Sequence, residues 1–335
     1  MLQHIEDALA ALPYPQRPEG LYDPIRFVLA GGGKRLRPML LLTAFSLYHS
    51  DYMPAMPAAV GIEMYHNHTL VHDDLMDHAD MRRGRPTVHT RWNENTAVLS
   101  GDTMLLLAYR LIAQCTVGRR EEVLHLFTDS AIRICEGQQY DVNFESRSEV
   151  TEAEYLEMIR LKTSVLLGCA AQMGGLLADA PATDAEVLYQ FAEKIGLAFQ
   201  LQDDYLDAYG DPAVFGKKIG GDILCGKKTF LTVTALSQMS GAETTHFLRM
   251  LACDSIDPDE KIRYAMRCYA KYDVESLCRQ RIEAYFKERL PELHLARDYA
   301  TRCVARISHA VMLPFMKIAE LDATRIRFLL HPFEH

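Results

Sequence analysis

Two acidic clusters limit what this chain can fold into more than any other feature. His72-Asp73-Asp74-Leu75-Met76-Asp77 and Gln202-Asp203-Asp204-Tyr205-Leu206-Asp207 both spell DDxxD inside apolar sequence. Leu70, Val71, Leu75 and Met76 surround the first, and Leu197, Phe199, Leu201 and Leu206 surround the second. On a helix the first and last aspartate are i,i+4 and share a face one turn apart. Two like charges there weaken the helix unless a cation offsets them, and carboxylates on an otherwise buried helix need partners. A single copy reads as a solvated acidic face. Two copies, each at the end of an apolar helical stretch, predict two carboxylate-bearing helices facing each other across a bundle.

The rest of the chain agrees with helices. No proline occurs between Pro86 and Pro181, and the intervening sequence is rich in Leu, Ala, Met and Glu. Apolar residues at 156, 159, 165, 166, 169 and 170 follow a helical period, and Val187, Phe191, Ile195 and Phe199 recur four apart. Alternating runs bounded by turn residues, the mark of half-buried strands, are scarce. The expectation is an all-α fold, one large helical bundle forming a single domain over residues 1–335.

Charge and cysteines narrow the setting. The 45 acidic residues exceed the 36 Lys and Arg, for a net charge of -9, which argues against a nucleic-acid binder gripping phosphates with a basic surface. None of the 8 cysteines forms a CxxC or has zinc-ligand spacing, a reduced, cytoplasmic pattern. The N-terminus lacks the basic-then-apolar layout of a signal peptide. The longest apolar-looking run, Val165–Ala178, is broken by Gln172 and too short to cross a bilayer. No membrane span is expected.

Hard oxygen donors without accompanying His or Cys suit Mg²⁺, which takes one or two carboxylates plus substrate phosphates. His72 and His78 flank the first motif but are expected to point elsewhere. A di- or triphosphate substrate then needs cations, and three glycine-rich basic loops offer them. Lys34 and Arg37 lie in the first, Arg82 and Arg83 in the second, Lys217 and Lys227 in the third.

In order, GGGKRLRP (31–38), YHNHTLVHDDLMDHADMRRGRPTVH (65–89), GD (101–102), GQQYD (137–141), LKTSVL (161–166), FQLQDDYLD (199–207) and FGKKIGGDILCGKKT (215–229) resemble the trans-isoprenyl diphosphate synthases of the polyprenyl synthetase family, particularly its short-chain farnesyl and geranylgeranyl diphosphate synthases. The resemblance implies an all-α prenyltransferase with a central active-site cavity, usually a homodimer, using three Mg²⁺ to condense isopentenyl diphosphate with dimethylallyl, geranyl or farnesyl diphosphate. Carried over by position, Lys34, Arg37, His66 and Arg83 bind isopentenyl diphosphate. Asp73, Asp77, Asp203 and Asp207 bind metal. Arg82, Lys162, Thr163, Gln200, Lys217 and Lys227 contact the allylic substrate or its leaving group. Asp73, Asp77, Arg82, Lys162, Asp203 and Lys217 form the catalytic set. Lys162 in an apolar helix lacks an evident partner, which a bound anion is expected to supply.

The resemblance also bears on product length. His68 and Tyr65 stand five and eight residues before Asp73 and stack on one side of the helix. Bulky rings there imply that chain growth stops early, at C15 or C20. A terpene cyclase of the same fold is a second reading, opposed by GGGKRLRP and by the complete second motif. A non-catalytic subunit of a heteromeric synthase is a third, opposed by the intactness of both motifs. Thr229-Phe230-Leu231 and the C-terminal RFLLHPFEH depart from the family pattern away from the metal and diphosphate positions.

Overall fold

The computed structural model describes residues 1–147, 149–210, 219–253 and 255–287. Among them the α-helices are α1 Leu2–Ala10, α2 Glu19–Leu29, α3 Leu36–Phe45, α4 Met56–Met76, α5 Val88–Arg91, α6 Glu94–Ala113, α7 Arg120–Ser146, α8 Glu152–Ile159, α9 Val165–Leu177, α10 Ala182–Tyr209, α11 Gly221–Leu224, α12 Phe230–Gln238, α13 Gly241–Ala252, α14 Pro258–Lys271 and α15 Val274–Lys287. A π-helical turn, Arg160–Ser164, joins α8 to α9. The strands described are β1 Met81–Arg82 and β2 Arg85–Pro86, a two-residue antiparallel ladder. The fold is all-α.

Several helix starts follow from local chemistry. Thr151 and Ser240 open α8 and α13 with capping boxes completed by Glu154 and Glu243. Asn93 and Asp257 cap α6 and α14 by accepting from Thr96 N and Glu260 N.

The chain divides into two compact units, and it passes between them within α7, α9 and α10. The first holds Met1–Thr128 and Cys169–Tyr189. In it, α3 is buried from Pro38 to Phe45 and α4 from Ala58 to Tyr65, so both are core helices rather than amphipathic surface ones. Close approach of α4 and α6 depends on glycine. A Cβ on Gly61 would lie 2.7 Å from Ile112 Cγ1, and one on Gly101 would lie 2.2 Å from His72 Nε2. Helix α6, not Val165–Ala178, is the described helix long and apolar enough to cross a bilayer by composition. It is interrupted by Asp102 and Arg110, and it buries Ala97, Gly101, Met104, Ala108 and Ile112.

The second unit holds Asp129–Gly168 and the described residues from Gln190 onward. Tyr155, Leu201, Phe230, Phe247, Tyr269 and Ile282 are central to its core. The stripe Val187, Phe191, Ile195, Phe199 is only half-buried; the fully buried line on α10 runs through Leu188, Ala192 and Gly196. Small residues face inward there because the helices nearly touch: a Cβ on Gly196 would sit 2.7 Å from Ser164 Cα. Cys115, Cys169 and Cys278 are buried thiols packed in apolar surroundings.

Candidate active site

In the first unit the site begins where α4 ends. Asp77 follows Met76, its N–H donating to Asp73 O at 2.8 Å. A helix C-terminus carries partial negative charge, so two carboxylates there raise the demand for cations. Asp73 is half-buried and Asp77 exposed, whereas Asp74 is buried. Arg82 donates through Nε to Asp74 Oδ1 at 2.6 Å and through Nη2 to Asp73 Oδ2 at 3.2 Å. Burial still raises the Asp74 carboxyl above its usual range despite that guanidinium.

The MRRGRP segment then divides its arginines by geometry. Arg83 and Gly84 both take positive φ, +52° and +72°, the signature of a tight two-residue hairpin turn. Arg82 therefore faces the aspartates. Arg83 instead donates to Gly32 O in the glycine loop. Arg85 stacks 3.9 Å from the centre of the Phe27 ring and donates to Phe27 O.

The GGGKRLRP loop is divided in the same way. Arg35, at φ +47°, turns its side chain inward and is buried, while Lys34 beside it is exposed. Arg37 Nη1 donates to His66 Nε2 at 3.1 Å. His66 must therefore be neutral, with its proton on Nδ1; burial, then the Arg37 charge, pushes its pKa well below the ordinary value. Arg37 Nε is buried with no hydrogen-bond partner among the described residues. Such a donor is costly until an acceptor arrives. His66, a family-implied residue that would otherwise read as a core histidine, thus meets Arg37.

Upstream on α4, His68 Nδ1–H donates to Gly101 O at 2.9 Å, and its ring lies between those of Tyr65 and His72. Burial pulls its pKa down to about 4, so this imidazole is neutral. His72 Nε2 donates to Val98 O at 3.3 Å, away from the aspartates, as expected.

In the second unit the same pattern of burial recurs. Asp203 is exposed, Asp207 half-buried and Asp204 buried. Asp204 Oδ2 accepts from Tyr155 Oη–H and from Phe230 N–H, the latter at 3.0 Å, and Oδ1 accepts from Gln200 Nε2 at 3.3 Å. Burial pushes its pKa up to about 7. Asp207 Oδ2 accepts Asp222 N–H at 3.0 Å, which ties it to the turn opening α11. Thr163 Oγ1 donates to Gln200 Oε1 at 3.3 Å, completing a chain from Thr163 through Gln200 to Asp204. Lys227 is exposed after α11, with its backbone N–H donating to Asp222 O. Lys217 and the C-terminal RFLLHPFEH lie outside the described residues.

One expectation is corrected. Lys162 does not wait for an anion, because its Nζ donates to Asp141 Oδ2 at 2.6 Å. Asp141 comes from GQQYD on α7, and Gly137, one turn earlier, lets that helix reach the π turn. A Cβ at Gly137 would lie 2.4 Å from Lys162 N. The pairing escapes a reading of one helix at a time because it joins two helices. The inner aspartates were likewise unassigned from sequence, although their position one residue off the i,i+4 face was the signal.

Residues 18–269 match the polyprenyl synthetase family model. The chain is 38% identical over 267 residues, 79% of its length and 80% of the relative's, to a short chain isoprenyl diphosphate synthase of Methanocaldococcus jannaschii. It is 41% identical over 237 residues, 70% of its length and 73% of the relative's, to a geranylgeranyl diphosphate synthase of Methanosarcina mazei. A geranylgeranyl pyrophosphate synthetase crystal structure from Pyrococcus horikoshii Ot3 superposes with a TM-score of 0.83 at 30% identity, covering 95% of each chain. The chain belongs to the polyprenyl synthetase family. As such it is an enzyme, a trans-prenyltransferase.

Proposed function

We propose that this enzyme condenses isopentenyl diphosphate with an allylic diphosphate (dimethylallyl, geranyl or farnesyl) and releases a C15 or C20 trans-isoprenyl diphosphate in a Mg²⁺-dependent reaction. The observation carrying this reading is the repeated division within DDxxD. In both copies the second aspartate is buried and hydrogen-bonded inside the protein, while the first and last remain at least partly open to solvent. Two spaced carboxylates per motif suit a hard cation that shares its coordination with phosphate oxygens and water. Asp73, Asp77, Asp203 and Asp207 would hold three Mg²⁺, which would neutralise charge on the leaving diphosphate.

This chain's own residues position and bind. Arg82, Lys162, Thr163, Gln200, Lys217 and Lys227 hold the allylic diphosphate as its C–O bond breaks and the electron pair leaves with diphosphate. Lys34, Arg37, neutral His66 and Arg83 hold isopentenyl diphosphate, whose double bond attacks the allylic cation. A proton then passes to the departing diphosphate, and no side-chain nucleophile is required. Because the family match runs unbroken through both units, we take residues 1–335 as one catalytic domain.

Labelled isopentenyl diphosphate, each allylic partner and Mg²⁺ should give C15 or C20 products, and chelating the divalent metal should abolish turnover. Absence of condensation with every partner overturns the reading. In the same assay His68→Ala should lengthen the product, since the buried ring is the floor in this reading. An unchanged product distribution removes His68 from that role.

We place the enzyme in the cytoplasm, as a homodimer. Val98, Leu99 and Leu106 are 42%, 59% and 69% exposed on α6, and a second copy is the occupant that its charges suit. Asp102 and Arg110 lie four residues either side of Leu106, so two antiparallel copies crossing there pair opposite charges. Sedimentation should give a dimer, and Leu106→Glu should shift it to monomer.

A further inference from the structure

Arg35 is 2% exposed yet takes no place in the chemistry proposed above. Its guanidinium makes four hydrogen bonds inside the protein. Nη1 donates to Glu63 Oε1 at 2.8 Å, Nε to Glu6 Oε1 at 2.9 Å, and Nη2 to Glu6 Oε2 at 3.2 Å and Leu29 O at 2.8 Å. Glu63 lies on α4, one turn before His66, and is itself buried at 2% exposure. Asn67 Nδ2 donates to the same Glu63 Oε1 at 3.2 Å. Three helices therefore converge on one buried cation: α1 through Glu6, α2 through the Leu29 carbonyl and α4 through Glu63.

We propose that Glu63, with Glu6, is a positioning residue for the isopentenyl diphosphate site, holding the Lys34–Arg37 loop in place through the buried Arg35 guanidinium. This rests on the assignment of Lys34, Arg37, His66 and Arg83 to that substrate. The geometric reason is local. Arg35 is the residue that starts α3 in a left-handed conformation, which few side chains adopt without support. Anchoring it inward leaves Lys34 exposed on one side and Arg37 against His66 on the other. The loop's other edge is tied by Arg83 donating to Gly32 O.

Charge gives the second reason. Arg37 and Arg83 repel each other, and Glu63 is the acidic group whose field favours the charged form of both. Removing that carboxylate should leave Arg35 half-paired in the interior and loosen two like charges meant for one ligand. A buried carboxylate on α4 thus acts on a substrate it does not touch, and the N-terminal helix joins the site by the same guanidinium.

The test measures KM for each substrate in Glu63→Gln, an isostere without charge, and in Glu6→Gln, whose carboxylate is partly exposed and whose loss the fold should tolerate. Glu63→Gln should raise KM for isopentenyl diphosphate by about ten-fold or more and Glu6→Gln by several-fold, on the scale of charge-assisted hydrogen bonds. KM for the allylic diphosphate should move less than two-fold in both (roughly the scatter of unrelated surface changes). Arg37→Lys serves as the control. If it leaves KM for isopentenyl diphosphate unchanged, the site assignment itself fails. If Arg37→Lys raises that KM while Glu6→Gln and any folded Glu63→Gln do not, the positioning role is overturned. Equal rises in both KM values, or only a lower melting temperature, would also overturn it by showing a general structural contribution.

Discussion

Replacing Asp73 or Asp203 by alanine should lower kcat by at least about 10²–10³-fold, the scale seen when one group stabilising leaving-group charge is removed. Each is the first aspartate of its motif and keeps part of its carboxylate open to solvent. The loss should come with a need for higher Mg²⁺ to reach half-maximal rate, while the melting temperature stays near that of the unmodified enzyme. Asp73→Ala removes one of the two carboxylates that Arg82 contacts, but the shorter 2.6 Å bond to Asp74 survives. The hairpin should therefore remain in place. The inner aspartates should behave in the opposite way. Asp204→Leu leaves Tyr155 Oη and Phe230 N without their shared acceptor in the core, a loss of about 1–3 kcal/mol of stability for each unsatisfied buried group. Thermal melts and metal titrations on the three variants separate these roles. Full turnover in Asp73→Ala or Asp203→Ala would remove the metal assignment.

Gly137→Ala should have the second largest effect. The new Cβ would sit 2.4 Å from Lys162 N and 2.8 Å from Leu161 C and Cβ. Two of these contacts are backbone atoms, so no flexible side-chain end can swing aside. Overpacking of this kind costs about 1–3 kcal/mol and sometimes more, and here it wedges α7 off the π turn that carries Lys162. A melting temperature lower by roughly 1–4 °C is expected for a protein of this size. Turnover should fall at least about ten-fold even below the melting transition, because Lys162 and Asp141 are separated. Asp141→Asn discriminates the two consequences, since it keeps the packing and removes the charge that holds Lys162 at 2.6 Å. It should depress kcat with little change in melting. Wild-type melting and turnover in Gly137→Ala would show that the helices yield more easily than this contact allows.

Much of the site was legible because its chemistry is local. A DDxxD spacing puts two carboxylates on one helical face wherever the helix lies, and both copies do keep their outer acids open while burying the inner one. The division of MRRGRP was not legible from residue type, although the family resemblance separates Arg82 from Arg83 by position. Three arginines within four residues look alike in sequence, and only the Arg83-Gly84 turn sends Arg82 to the aspartates, Arg83 to the glycine loop and Arg85 to Phe27. The KRLR run hides a similar split, since Arg35 resembles a phosphate ligand and is a buried internal anchor. Lys162 shows the same limit, because its carboxylate partner comes from another helix.

By itself the sequence determined an all-α chain with two carboxylate-bearing helix ends and a set of basic loops, because helical period, acid spacing and loop composition are properties of neighbouring residues. The tertiary structure decided which charges turn inward. Whether a guanidinium or carboxylate is buried, and against what, depends on helices far apart in sequence, some of which approach closely because glycines such as Gly61 and Gly137 leave no side chain between them.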